Sequence, residues 1–219
     1  MAESVVILSG DRTAIGSFDG SLSSIPPIEL GAAAAKAAID RSGVDAEEID
    51  QAVFGNIIHT EPRDMYLSRA VSIAAGVKLD TPALTLNRLC GSGLQAIISG
   101  AQSIMLGDAS TMLVGGAESM SRSPHATRSI RTGHKMGDLA FTDMLIGVLS
   151  DPFDGAHMGV TAENVAKDKG INRETQDKIA VESHRRAINA IDKGFFKDQI
   201  IPIEVKSRRE TVSFDTDEH

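Results

Sequence analysis

The 219-residue chain carries 22 Lys and Arg against 30 Asp and Glu, a formal net charge of -8 with a sequence pI near 5.2, and is 42% hydrophobic and 24% charged. That is enough chain for a well-buried core, as one large domain or one domain with an appendage, and its acidic balance argues against a general attraction to nucleic acid or an anionic membrane. A single cysteine excludes an internal disulfide framework and points to a reducing compartment. The N-terminal MAESVVILSGDR has no basic n-region and no long apolar core, so no signal peptide is expected and a cytoplasmic location is.

In chain order, Val5 to Leu8 is a short apolar run and Ile28 to Ser42 an Ala-rich helical stretch closed by Gly43. Ala52 to Ile58 reads as a strand, Arg63 to Ala75 as a helix stopped by Gly76, and Ala83 to Leu86 as a second strand. A helix from about Gly91 to Leu106 carries Leu94, Ile97, Ile98, Ala101, Ile104 and Met105 at helical spacing, and Thr111 to Val114 is a further strand ending in Gly115 and Gly116. Strand and helix alternate, which predicts an α/β core with helices on a largely parallel sheet. The helix after Cys90 offers only Gln95, Ser99, Gln102 and Ser103 on its other face, so it is expected to be covered on both sides, a core helix and not a membrane span. Beyond Met120 the rhythm breaks. Asn172 is an N-cap candidate for a helix running to about Lys193 before Gly194, with Val181, His184, Ala187, Ile188 and Ile191 on one face, and Ile200 to Val205 reads as a strand. The expected division is an α/β core over 1–119 and a more irregular unit over 120–219.

The chemistry concentrates in NRLCGSGLQA, residues 87–96, where Cys90 stands between an apolar strand and the start of a helix. Helix N-termini leave N–H groups unpaired and carry partial positive charge, a setting that favours thiolates and suits a nucleophile. Gly91 and Gly93 let a carbonyl approach the backbone closely, and their N–H groups can support a developing oxyanion. Two other readings stand beside this one. Free cysteine is among the most buried residue types, so Cys90 can be core filler; as a reactive thiol at the end of a helix covered on both sides, it is expected to lie deep in the molecule, reached through a channel. GSGLQA also satisfies the dinucleotide pattern G-x-G-x-x-G/A, with Glu118 after the next strand as a ribose-binding acid, although it lies further along than the usual spacing of about 20 residues. From Ser119 to Gly137 every charged residue is basic (Arg122, Arg128, Arg131 and Lys135, with His125 and His134 among them), which reads either as a solvated loop or as a cationic collar for an anionic ligand or a neighbouring subunit. The six His residues show no H-E-x-x-H, and no metal site is expected.

NRLCGSGLQAI, with LGDAS, VGGAESMSRSPH, HMGVTAENVAK and FDTDEH after it and SGDRTAIGSF and FGNIIHTEPRDMYLSR before it, resembles the thiolase family, on the side of the bacterial β-ketothiolases and acetyl-CoA acetyltransferases. The resemblance runs over essentially the whole chain. It implies a thiolase-like α/β fold with an inserted loop domain, and acyl transfer from an acyl-CoA to Cys90 followed by Claisen condensation or thiolytic cleavage of a short 3-ketoacyl-CoA. It further implies that Leu149, His157 and Met158 line the substrate channel, that CoA thioesters are substrates with no resident cofactor, and that the chain works as a homodimer or homotetramer. Read without it, Leu149 and Met158 are equally core residues, and a lone His packs more often than it acts.

The resemblance covers only about the first half of a thiolase. The family's second α/β repeat supplies a His in G-H-P, an Asn in N-E-A-F and a second Cys in C-x-G, and none of these motifs occurs here. Deprotonating the α-carbon of acetyl-CoA needs a positioned base, so the chain alone is expected not to be competent for the full reaction. It is also expected to expose apolar surface along the helix after Cys90. Two alternatives remain at this level: a non-catalytic CoA-binding or assembly module, and a dinucleotide-binding oxidoreductase built on GSGLQA.

Overall fold

The computed structural model describes residues 4–206 and 210–218. Its elements are β1 (Arg12–Thr13), α1 (Pro27–Ser42), β2 (Gln51–Gly55), α2 (Leu67–Ala74), β3 (Ala83–Leu86), α3 (Ser92–Leu106), β4 (Met112–Gly116), β5 (His125–Ala126), β6 (Thr142–Asp143), α4 (Met144–Val148), α5 (Met158–Asp168), α6 (Arg173–Asp192), β7 (Ile200–Ile201), β8 (Ile203–Lys206) and β9 (Thr211–Phe214). They form two compact units, one of Met1–Ser123 with Gln199–His219 and the other of Pro124–Asp198. Sequence had put the break after residue 119 and assigned everything beyond it to the second unit. The last segment instead belongs to the first, because β7 pairs with β1 and Ile201, Ile203, Val205 and Phe214 pack with Leu22 and Leu30.

In the first unit β2 lies between β3 and β4, all parallel, with Gly55 opposite both Leu86 and Gly116. The strand ends therefore line up, and the segments leaving β2, β3 and β4 emerge side by side. Side chains alternate across the sheet. Ala52 and Phe54 face a core with Ile28, Ala35 and Ile39 of α1, Leu67 and Val71 of α2, and Leu113 of β4. On the opposite face α3 approaches so closely that a Cβ on Gly100 would stand 2.6 Å from Val114 Cγ1. α1 begins with Pro27, whose missing N–H costs nothing at a helix start, and ends at Gly43 in the left-handed conformation, φ 72°. The stretch read as one helix over 63–75 is a tight 3-10 turn, Pro62–Tyr66, followed by α2, with buried Asp64 accepting from the N–H and hydroxyl of Thr60 and the N–H of Glu61.

α3 lacks the second cover read from its uncharged face and shows the bare apolar surface expected of a chain without the family's second repeat. Ser92, Ala96 and Gly100 are buried against the sheet, while Leu94, Ile97, Ile98, Met105 and Leu106 are exposed, so the helix is covered on one side only. By length and composition alone the window Leu89–Leu106 is apolar enough to cross a membrane, and 17% of it is buried in the chain. The apolar run at Val6, Ile7 and Leu8 is likewise exposed, and it lines a groove of about 430 Å³ together with α1, α3 and β4.

The second unit has short pieces where the sequence showed no rhythm: the antiparallel pair β5 and β6, then α4, α5 and α6. Asp143 caps α4, and Asn172 caps α6 by accepting from the N–H of Thr175 at 2.9 Å, with Gly194 at φ 68° closing the helix as read. α6 is laced with exposed pairs (Arg173 with Asp177, Glu174 with Lys178, Glu182 with Arg186), and its Val181 and Ile188 stay exposed.

The C-terminal residues clasp the loop after β1. Arg12 binds Asp217 through two N–H groups at 2.7 and 2.9 Å, Asp217 accepts from the N–H of Ile15, and Glu218 accepts from the N–H groups of Ser17 and Ser21 and from the Ser21 hydroxyl. The Arg12 hydrogen bond holds the Asp217 carboxyl below the usual carboxylate range, and the Ser21 hydroxyl does the same for Glu218. A lowered folded-state pKa makes this stabilisation complete above about pH 4 and lost as pH falls through the folded value. Asp217→Asn is therefore expected to cost on the order of 1 kcal/mol at pH 7, read as a lower urea midpoint. The gap from wild type should close as the titration is repeated toward pH 2.

Candidate active site

Cys90 sits in a turn built by its neighbours. Leu89, just before it, has φ 48°, a left-handed conformation that costs a residue with a Cβ about 1–2 kcal/mol. Several hydrogen bonds offset that cost. Leu89 N–H donates to Asn87 Oδ1 at 2.9 Å, Gly91 N–H to the Arg88 carbonyl at 3.1 Å, and Ser92 N–H to the Leu89 carbonyl at 2.9 Å. The buried Ser92 hydroxyl accepts from the Arg88 N–H at 2.8 Å and donates to the Leu89 carbonyl at 2.6 Å, while Arg88 also reaches Gln95. α3 starts at Ser92, so Cys90 lies at its N-terminal end as read from sequence. It is exposed, however, and not deep. The face of α3 that was expected to lie under a further layer is bare in this chain, which is why the thiol reaches solvent.

The turn rests on the sheet through Gly55. A Cβ there would stand 2.6 Å from the Ser92 Cβ and 2.8 Å from its carbonyl carbon, so only glycine lets α3 begin this close to the end of β2. Behind the turn, Glu118 at the end of β4 accepts from the N–H groups of Ile57 at 2.8 Å and Ile58 at 3.2 Å, and Asn87 Nδ2 donates to the Ile57 carbonyl at 3.3 Å. Buried Asn56 donates to the Ala117 carbonyl at 3.0 Å. Burial pushes the Glu118 carboxyl up, against the opposing pull of those two N–H groups.

Of the residues named on sequence, Gly91 has committed its N–H to Arg88 within the turn, so that group is not free for an oxyanion. A Cβ on Gly93 would meet nothing within 4 Å, so the space in front of it is open. The ribose-binding role for Glu118 also falls away, because both its oxygens are engaged by the segment after β2. In the second unit Leu149, His157 and Met158 are brought together: Met158 N–H donates to the Leu149 carbonyl at 2.9 Å, and Ser150 bridges to His157. His157 is the N-cap of α5, its Nδ1 accepting from the N–H of Gly159 at 3.1 Å, and it is exposed with Met158. Among the described residues no group of three or more His, Cys, Asp or Glu is arranged to hold a metal ion. Sequence reasoning missed Asn87, Ser92 and Gly55. The Asn two residues before a bulky residue and the Ser two residues after the thiol were visible, but nothing in their spacing announced a left-handed Leu89.

A parallel strand, a left-handed turn bearing an exposed thiol and a helix N-terminus thus meet at one junction of an α/β protein. The chain belongs to the thiolase family: the family model for "Thiolase, N-terminal domain" matches residues 5–219. It is 55% identical over 219 residues to the β-ketothiolase BktB of Cupriavidus necator, covering 100% of this chain and 56% of that protein. The crystal structure of the Bacillus anthracis acetyl-CoA acetyltransferase superposes with a TM-score of 0.93 at 39% identity, over 98% of this chain and 54% of that one. Human mitochondrial 3-ketoacyl-CoA thiolase in complex with CoA gives 0.91 at 39% identity, over 97% and 53%. The chain thus spans about half the length of the curated relatives it matches.

Gly55→Ala forces either β2 or the start of α3 to move. We expect a loss of about 1–3 kcal/mol, measured by urea unfolding, with new amide chemical shifts confined to the Arg88–Ser92 turn and the end of β2.

Proposed function

We propose that this chain carries the acyl-accepting half of a short-chain β-ketothiolase or acetyl-CoA acetyltransferase, with Cys90 as the nucleophile. The observation that supports this most is the exposed Cys90 in a strained strand–turn–helix junction, in a chain that matches a β-ketothiolase from end to end of its own length. The Cys90 Sγ attacks the carbonyl carbon of acetyl-CoA. The carbon–sulfur bond to CoA breaks as the bond to Sγ forms, and the thiol proton leaves with the CoA sulfur. In the degradative direction the same sulfur attacks the keto carbon of a 3-ketoacyl-CoA, the bond between that carbon and the α-carbon breaks, and the α-carbon takes up the thiol proton and departs as acetyl-CoA; the CoA thiol then takes the shortened acyl group and its proton returns to Sγ.

Gly93 keeps open space and a helix-end N–H near the reacting carbonyl. Leu149, His157 and Met158, which are adjacent in the second unit, are the proposed contacts for the pantetheine and thioester. Condensation needs a base to remove a proton from the acetyl methyl group, a step we assign to no residue of this chain. CoA thioesters are substrates in this reading, with no resident cofactor. The bare apolar face of α3 and the exposed Phe141 and Phe153 support association; a homodimer or homotetramer in the cytoplasm is the form we propose.

The test is the intact mass of the purified chain before and after incubation with acetyl-CoA, beside Cys90→Ser. A gain of a single acetyl group that the serine variant lacks is the expected result. An unchanged wild-type mass contradicts the proposal and leaves a non-catalytic thiolase-like fragment as the reading.

A further inference from the structure

An exposed thiol has no packed walls to aim it, so the direction in which Cys90 points is set by the backbone that precedes it. That backbone includes Leu89 in a conformation that bulky residues avoid. The hydrogen bonds around Ser92 are internal to the turn and fix its shape. They do not tie Leu89 to the neighbouring strand ends.

A second set of bonds does that. Leu89 N–H is held by Asn87 Oδ1, and the other end of the same amide, Nδ2, holds the Ile57 carbonyl. The N–H of Ile57 and that of Ile58 are in turn gripped by the two carboxylate oxygens of Glu118. The path runs from the end of β4, across the segment leaving β2, to the end of β3 and the residue before the thiol. It exists because the parallel register sets those strand ends side by side. Asn87 is exposed, so it fills no core space, and its two bonds are its visible contribution to the structure.

We propose that Asn87, backed by Glu118, is a positioning residue for Cys90, holding Leu89 left-handed so that the thiol stands at the N-terminal end of α3. The proposal rests on the reading of Cys90 as the acyl acceptor, and it assigns neither residue a contact with substrate.

The test measures the rate of Cys90 alkylation by iodoacetamide at pH 7 in the whole 219-residue chain, with acetyl transfer from acetyl-CoA followed separately by mass. Far-UV circular dichroism checks that each variant is folded. Asn87→Ala, which leaves no cavity, is expected to slow alkylation by about threefold or more as the thiol leaves the helix end. Glu118→Gln, which keeps one accepting oxygen of two, is expected to slow it in the same direction. The decisive variant is the double substitution Asn87→Ala with Leu89→Gly. Glycine adopts the left-handed conformation without steric cost, so the fast rate should return even though Asn87 is absent. A merely structural role for Asn87 would not be rescued in this way. If Asn87→Ala is alkylated as fast as wild type, or if Leu89→Gly fails to restore the rate, the positioning role is refuted. A wild type that is alkylated normally but accepts no acetyl group refutes the acyl-acceptor reading instead, so the two failures are told apart.

Discussion

Helix α3 can begin where it does because Gly55 has no side chain. Its N-terminal residue, Ser92, occupies the space that a Cβ on β2 would take, and further along the same helix Gly100 meets Val114 with equal closeness. Two glycines, one on the strand and one on the helix, thus bring α3 down onto the sheet at both points. With the helix so low, the connection from β3 has only Asn87 to Gly91 in which to rise from the strand and enter the helix, and it does so through a left-handed Leu89. The left-handed Leu89 belongs to this short connection, and the thiol follows it directly, at the exposed end of the helix. A looser helix would allow a relaxed loop and would leave the thiol undirected.

The same helix explains the exposed apolar surface of the chain. Its small residues, Ser92, Ala96 and Gly100, face the sheet, and its large ones, Leu94, Ile97, Ile98 and Met105, face outward. In a helix that borders solvent the arrangement is normally reversed. Large apolar side chains gain roughly 1.5–3 kcal/mol each from full burial, and this face leaves several such gains unrealised. It also places the thiol beside bare apolar surface. The relatives that this chain matches are about twice as long.

Much of this was legible in the sequence. The alternation of short apolar runs with helical stretches gave β2, β3, β4, α1 and α3 to within a few residues, because Gly43 and the pair Gly115 and Gly116 mark the ends of α1 and β4. The junction at Cys90 stood out from its lone thiol and flanking glycines. Other features depend on contacts between distant residues, which local pattern does not carry. The return of residues 199–219 to the first unit comes from Asp217 meeting Arg12 and from β7 pairing with β1. The strand read over 200–205 is divided at Pro202, which has no N–H to give a ladder. Full cover for α3 was inferred from its uncharged second face, but composition states only what a helix tolerates, not whether a neighbour is there. Asn87 and Glu118 have ordinary side chains in ordinary places, and their meaning appears only once the parallel register brings three strand ends together.

The central claim is that this chain by itself builds and holds the turn that presents Cys90. Amide hydrogen exchange read residue by residue by NMR tests it most directly. The account predicts that the N–H groups of Leu89, Gly91 and Ser92, bonded to Asn87 Oδ1, the Arg88 carbonyl and the Leu89 carbonyl, exchange slowly, at rates close to those of the β2 amides. Exchange of these three amides at the rate of unstructured peptide, while β2 remains protected, would contradict it: the sheet would then be formed and the turn would not.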